Sequence, residues 1–411
     1  MNGDVFSPTN ILIPEGVSPE VWSVVACDQF SSDKGYWERV RETVNGAPST
    51  LELIVPEAYL EEINEEAATS KISATMVDYL EHGVLREIKD SFIYLERTLS
   101  DGSVRHGLVG AIDLEEYDFK PGAVAIKASE GTVIERLPPR IRVRKAACLE
   151  LPHVMVFIDD KEATVIEPLS GKTGKLPLLY DFDLMEGGGH IRGMQVSGQD
   201  AEGVLEALRA LRNKATQDCG GMLMVIGDGN HSLAAAKVYW DELKQGLSAE
   251  DRETHPARRA LVEINNVYDD AISFEAIHRA LFNVDADDVL TAFEKDMSKG
   301  EDYILKWASR GRGGTIGLSA ACIGDMLFDL QTCLDGYIKR TGCGIDYIHG
   351  EAETLELAAG ERCLGLVLPA MDKSELFATV AAGRVFPKKS FSVGHAQDKR
   401  YYLECRVIRE Q

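Results

Sequence analysis

The chain has 411 residues, 45% hydrophobic and 27% charged, the balance of an ordinary globular protein long enough for two or three domains. Its 44 Lys and Arg against 67 Asp and Glu leave a formal charge of -23, which repels phosphodiester backbones and disfavours nucleic acid as a partner. No apolar run approaches the roughly 20 residues that span a bilayer, so no membrane partner is expected. Met1 to Phe6 lack the basic and apolar regions of a signal peptide. Eight cysteines are scattered with no C-x-x-C pair, too sparse for a disulfide scaffold and wrongly spaced for structural zinc. Reduced thiols in a cytoplasmic protein are expected, with neither zinc nor haem.

In chain order, Ile11–Pro14 and Val21–Ala26 read as short strands around a Gly/Pro/Ser turn. Tyr36–Val44 reads as a helix stopped by Asn45-Gly46-Ala47-Pro48. Ser49–Val55 resembles a buried strand, and Pro56–Lys89 is mostly helical with glutamates on its solvated face. From Ser91 the period becomes two: Phe92–Arg97, a turn at Asp101-Gly102, then Arg105–Ile112, the pattern of a hairpin. A strand begins at Ala123–Ile126, a helix spans Arg140–Leu149, and Val154–Ile158 is another strand. Leu178–Val196 reads as extended around Gly187-Gly188-Gly189. Ala201–Gln217 is an amphipathic helix with Val204, Leu205, Leu208 and Leu211 on one face. It leads into the apolar run Leu223–Ile226, the turn Gly227-Asp228-Gly229 and an alanine-rich helix. After the charged stretch Ser248–Pro256, Ala260–Asn266 restarts a strand and Phe274–Phe282 reads as a short helix. Strands at Thr315–Leu318 and Leu364–Leu368 precede a helix at Lys373–Ala381. The whole reads as a mixed α/β (α+β) protein, with an N-terminal lobe over 1–256 and a smaller C-terminal α/β lobe over 257–411.

The turn at residues 227–232 is the strongest chemical signal. A strand that breaks on glycine and opens a helix presents backbone N–H groups at the positive end of the helix dipole, where an anion is favoured. Asp228 and His231 stand beside those groups, which suits general acid/base work or Mg²⁺ coordination by Asp228. A tight connection with a Ser or Asn cap is the competing reading. The turn lacks the Gly-Lys-Ser/Thr ending of a Walker A loop.

Other candidates are more diffuse. Ser129-Glu130-Gly131-Thr132 precedes Arg136, Arg140, Arg142 and Arg144, and could act on a phosphorylated substrate or simply start a solvated basic helix face. Gly188-Gly189-His190-Ile191-Arg192 lets backbone approach a ligand closely, although His190 and Arg192 could equally be structural hydrogen-bonders. His278 and Arg279 lie in the apolar segment 274–282, with core packing as the alternative. Pro387-Lys388-Lys389-Ser390 concentrates positive charge in an acidic chain, and Asp28 sits at a strand end.

In this order the pieces resemble a bacterial and archaeal family of unknown function (domain of unknown function 1015), often labelled ParB-like or ParA/ParB/RepB-like. The carriers are Ala26-Cys27-Asp28-Gln29 before Tyr36-Trp37, Glu130-Gly131-Thr132 with Arg140, Gly187 to His190, Asp228 to Ser232, Ile277-His278-Arg279 and Pro387 to Ser390. The central turn is also similar to one in a superfamily that contains sulfiredoxin, the ParB N-terminal domain and free-serine kinases. That resemblance implies a ParB/sulfiredoxin-like strand–turn–helix core with additional mixed sheet elements. It also implies a nucleotide pocket for ATP, ADP or CTP, with Gly227, Gly229, Asn230, His231 and Ser232 on the phosphates. Asp228 would bind Mg²⁺ or substrate. The family's His-His-Arg is Asn230-His231-Ser232 here, so Lys237, Arg192 or Lys389 would have to supply the missing charge.

The resulting expectation is nucleotide-dependent phosphotransfer to a small hydroxylated metabolite, serine-like by the resemblance. Glu130, Asp228 and His231 would be catalytic. Asp28, Thr132, Arg140, His190, Arg192, His278, Arg279, Lys389 and Ser390 would be substrate or phosphate contacts. The alternatives are a non-catalytic nucleotide- or metabolite-binding regulator and a phosphate-ester hydrolase. A homo-dimer is compatible with all three.

Overall fold

Period-two patterning after Ser91 is realised in the long strand Leu85–Thr98. Its Phe92 and Tyr94 enter one hydrophobic core, and its Ile93 and Leu95 enter another. The computed structural model describes residues 3–120, 122, 125–132, 134, 137–218 and 220–409. The chain divides into two units, the first made of Met1–Ala128, Thr132–Ile272 and His395–Gln411, the second of Ser129–Gly131 and Ser273–Gly394.

The first unit is built on a mixed sheet. Its order is Leu178–Asp183, His190–Val196, Leu85–Thr98, Val104–Asp113, Arg259–Asn266, Met155–Ile158, Met224–Asp228, Ile126–Ala128 and Tyr117–Asp118. Pairing is antiparallel on the hairpin side and becomes parallel between Arg259–Asn266 and Met155–Ile158, and again between Met224–Asp228 and Ile126–Ala128. The two cores occupy the two sheet faces. Val204, Leu205 and Leu208 of the helix Gly198–Asp218 join the first. Trp37, Val40 and Val44 of the helix Lys34–Val44 join the second. Asp33 accepts from Tyr36 N and Asn64 from Ala67 N, so both N-terminal helices begin on side-chain caps.

The C-terminal residues return to this unit. Tyr401–Tyr402 pairs with Val24–Val25, and Arg406–Val407 with Leu149–Glu150. The division expected at 256/257 therefore falls inside the first unit, where Arg259–Asn266 is hydrogen-bonded on both edges.

The second unit is an antiparallel sheet in the order Arg312–Leu318, Lys299–Ser309, Cys363–Val367, Phe274–Phe282, Gly344–His349, with Phe391–Val393 also on Phe274–Phe282. Helices Ala286–Asp296, Ile323–Thr341, Glu351–Ala358 and Lys373–Ala381 accompany it. Phe274–Phe282 was expected as a helix and is a strand. It pairs with Gly344–His349 on one side and Cys363–Val367 on the other, and that sheet pairing overrides local propensity.

Other local expectations shift as well. Thr50–Leu53 is a 3₁₀ turn rather than a strand, with Ser49 accepting from Leu51 N. Pro19–Trp22 is a helical turn, leaving only Val24–Val25 as strand. The helical stretch after Pro56 reduces to Glu57–Tyr59 and Glu65–Glu81. The arginine-rich helix runs Leu137–Ala146, and the strand placed at 123–126 is Ile126–Ala128, with Ala123, Val124 and Arg136 outside the described residues.

Candidate functional site

The strand Met224–Asp228 slips register against Met155–Ile158 between Ile226 and Asp228, which makes Gly227 a bulge. A Cβ at Gly227 would enter the ring of Phe157, so packing itself demands this glycine. Gly229 has φ +81° at the cap position of the helix Asn230–Leu243, and a Cβ there would crowd Val154. Because Gly229 has no side chain to accept from the opening N–H groups, the helix start is an anion-favouring end. Asn230 is buried, and His231 and Ser232 are half-buried in the first turn.

Asp228 is held by groups from distant parts of the chain. Its Oδ2 lies 3.0 Å from Lys399 Nζ, and its Oδ1 accepts from Gly229 N at 2.9 Å. Burial raises the Asp228 carboxyl, but Lys399 and then His153 outweigh that and hold it below the usual carboxylate range. Lys399 is buried and fixed by its neighbours: Asp398 accepts from Ser100 N and Oγ, and Arg400 Nη1 lies 2.9 Å from Glu263.

His153 connects this pair to a second group. The Tyr402 hydroxyl sits 2.8 Å from His153 Nδ1 and 3.1 Å from Cys27 Sγ, and His153 Nε2 is 3.6 Å from Asp28 Oδ2. Burial pushes the Cys27 thiol up to about 12, with Asp28 adding to the shift.

A cavity of about 580 Å³ adjoins this cluster within the first unit. Ser232 and Leu233 bring the start of the Asn230–Leu243 helix to it, and Cys27, His153 and Tyr402 form another part of the wall. Arg140 lines it too, but its guanidinium is 2.6 Å from Glu57, so the expected phosphate contact is engaged by a carboxylate.

The expected Mg²⁺ ligand, Asp228, is engaged by a cation. The ammonium of Lys399 occupies the position beside its carboxylate, and among the described residues no group of three His, Cys, Asp or Glu side chains is placed to hold a metal.

Two further candidates lie elsewhere in the first unit. His190 and Arg192 are on the hairpin at the sheet edge, with four strands between theirs and Met224–Asp228. His190 Nδ1 is 2.7 Å from Asp183 and Nε2 2.6 Å from Asp181. Burial lowers the imidazole pKa, but these two carboxylates outweigh it and raise the value. Arg192 is spent on Asp181 and Glu96. Acidic partners of this kind explain both side chains without a phosphate. Thr132 Oγ1 is buried without a hydrogen-bond partner among the described residues.

In the second unit, Glu130 bridges Phe386, and burial lowers the Arg279 guanidinium to about 10 against the opposing pull of Tyr347 and Glu130. Arg279 stacks 4.4 Å from the Tyr347 ring centroid and donates to the Ile277 and Lys389 carbonyls. Lys389, at φ +55°, places its ammonium 5.4 Å from the same ring. Ser390 Oγ donates to Pro387 O at 2.6 Å, and His278 Nδ1 accepts from Leu368 N at 3.1 Å. His278 and Ser390 thus serve the backbone.

Sequence reasoning missed Lys399, His153 and Tyr402, and met Cys27 only as part of the Ala26-Cys27-Asp28-Gln29 motif. The available signal was polar side chains set into apolar surroundings: His153 immediately before Val154–Ile158, and Lys399-Arg400 immediately before Tyr401-Tyr402-Leu403.

Residues 14–404 match the model of a family described as "Protein of unknown function (DUF1015)". The chain belongs to this family. No curated protein matches the sequence. Among solved structures, a conserved hypothetical protein from Pyrococcus furiosus is 12% identical, with 71% of this chain and 92% of that one covered at a TM-score of 0.36. A free serine kinase in complex with AMP is 14% identical, covering 71% and 90% at 0.38. SbnI with a C-terminal truncation from Staphylococcus aureus is 9% identical, covering 70% and 82% at 0.37. Likeness at this level carries no weight for the activity of this DUF1015 chain. Among its described residues no helix is long and apolar enough to cross a membrane.

Proposed function

We propose that this chain binds a nucleotide at the 227–232 turn and uses it to phosphorylate a small hydroxylated metabolite. The carrying observation is one juxtaposition. The 14-residue helix Asn230–Leu243 starts on Gly229, the buried ammonium of Lys399 stands at the preceding Asp228, and Ser232 opens onto the cavity. The N–H groups that open a helix favour phosphate charge, the Lys399–Asp228 pair fixes the turn that presents them, and phosphoryl transfer depends mainly on such positioning and neutralisation. In this reading His231 contacts a phosphate oxygen, and Asp228 orients Lys399 instead of binding a metal. The ParB-, sulfiredoxin- and free-serine-kinase-like resemblance rests on the same strand–turn–helix.

A thermal-shift panel of ATP, ADP and CTP, with and without Mg²⁺, tests the reading on the wild type and on His231→Ala. Stabilisation by at least one nucleotide, reduced tenfold or more in apparent affinity by His231→Ala, is expected. No stabilisation by any of them sinks the proposal. Binding without turnover would favour a regulator, and phosphate release without a phosphorylated product a hydrolase.

A further inference from the structure

The cavity beside the turn has walls that constrain what can enter it. At about 580 Å³ it falls in the roughly 300–1,000 Å³ range of small-molecule sites. Leu53, Ile72, Met76, Val143, Leu149 and Leu261 supply apolar wall from five separate elements. Ionic groups on the wall are paired with one another: Arg140 with Glu57, Arg142 with Glu65, and Arg144 with Glu150. Each arginine is therefore already neutralised by a carboxylate. A compact zwitterion such as serine would bring an ammonium and a carboxylate to this wall and find apolar carbon and spent charges, an uncompensated desolvation cost. An apolar body meets no such cost. Ser232, His153, Tyr402 and Cys27 add uncharged polar groups near the turn, where the proposed phosphate site lies, and Thr69 adds one from the helix Glu65–Glu81.

We propose that the cavity holds the apolar body of the phosphoryl acceptor. The substrate is then an alcohol with an alkyl, isoprenyl or aryl group, and the product is its phosphate monoester. This rests on the nucleotide reading above and deepens it by naming the acceptor class. In the reaction, the alcohol oxygen bonds to the terminal phosphorus of the nucleoside triphosphate. The bond from that phosphorus to the bridging oxygen breaks, the nucleoside diphosphate leaves, and the hydroxyl proton is released to solvent. An apolar tail in the cavity places the hydroxyl end toward Ser232.

The test uses the full chain and a series of methyl, butyl and octyl phosphate, with ADP titrated separately, all by calorimetry. Affinity is expected to rise about fourfold per methylene from methyl to octyl. Ala236→Phe and, independently, Val143→Phe from another wall should flatten the series beyond butyl and leave ADP affinity within twofold of wild type. Two fillings are needed because one could misfold, and circular dichroism melts identify that case. A flat series on the wild type, with ADP still bound, overturns the cavity proposal alone. So does a steep series that neither filled variant alters. A steep series flattened by filling, with no ADP binding, supports the cavity and overturns only the nucleotide reading.

Discussion

Lys399 Nζ lies 3.0 Å from Asp228 Oδ2, joining the C-terminal segment to the strand–helix turn across 171 residues of chain. Lys399 is almost fully buried, whereas Asp228 keeps part of its carboxylate near water. Removing one partner strands the other charge, which for fully buried pairs costs about 3–5 kcal/mol. Lys399→Met is therefore expected to cost about 2 kcal/mol, the lower figure reflecting the partial exposure of Asp228. The double variant with Asp228→Asn should recover most of that loss in urea denaturation. Asp228 is held below the usual carboxylate range, so its contribution is complete above the unfolded-state pKa of about 3.9 and is lost as pH falls through the lower folded value. A wild-type acid-stability slope that persists unchanged in the double variant would show that the pair does not carry it.

Gly227 and Gly229 are both glycine for reasons that stand apart from any ligand. Gly227→Ala would drive a methyl group into the Phe157 ring, an overpacking expected to cost about 1–3 kcal/mol. Phe157→Leu in the same chain should return part of it, which urea melts of the single and double variants would measure. Additive losses would place the origin of the glycine elsewhere. Gly229→Ala should destabilise without rescue by Phe157→Leu, because its penalty lies in a φ of +81° and in Val154.

The strand–turn–helix was legible because local chemistry defines it: an apolar run, two glycines around an aspartate, then alanines. The hairpin Leu85–Thr98 with Val104–Asp113 was legible for the same reason, period two around an Asp-Gly turn. Partners of the turn were not legible. Lys399 reaches Asp228 only because Tyr401–Tyr402 pairs with Val24–Val25 and Arg400 is buried against Glu263, and no local pattern reports contacts of that span. Phe274–Phe282 misled in the opposite way. Its residues suit a helix, and only two flanking strands distant in sequence make it a strand. Arg140, His190 and Arg192 looked like anion ligands because their carboxylate partners, Glu57, Asp181, Asp183 and Glu96, lie on other elements or strand positions.

Tyr402 serves two neighbours at once, with its hydroxyl between Cys27 Sγ and His153 Nδ1. Tyr402→Phe leaves His153 Nδ1 buried without that partner, a loss of about 1–3 kcal/mol expected in thermal or urea melts. Reactivity moves in a defined direction as well. The Cys27 thiol is already pushed up to about 12 by burial and by Asp28, and the Tyr402 hydroxyl, followed by Arg140, draws it down. Cys27 should therefore resist iodoacetamide at pH 8 in the folded wild type, and still more in Tyr402→Phe, as read by peptide mass spectrometry. Fast labelling of Cys27 in the folded wild type would contradict the buried, protonated thiol.

His106 carries a pH dependence of defined sign. Its Nδ1 lies 2.9 Å from Asp269 Oδ2, and the same carboxylate oxygen accepts from His106 N at 2.9 Å. The hydrogen bond to Asp269 raises the imidazole pKa above its ordinary value, outweighing partial burial. A folded pKa above the unfolded value of about 6.5 means that the native state binds the proton more tightly. The stabilisation is complete below that unfolded value and is lost as pH rises through the higher folded one. Thermal midpoints should therefore fall between neutral and mildly alkaline pH in the wild type. His106→Gln keeps a donor for Asp269 but cannot titrate, so it should reduce that slope, leaving the part that His190 contributes, while retaining part of the contact. A slope of unchanged size in His106→Gln would assign the transition to another group.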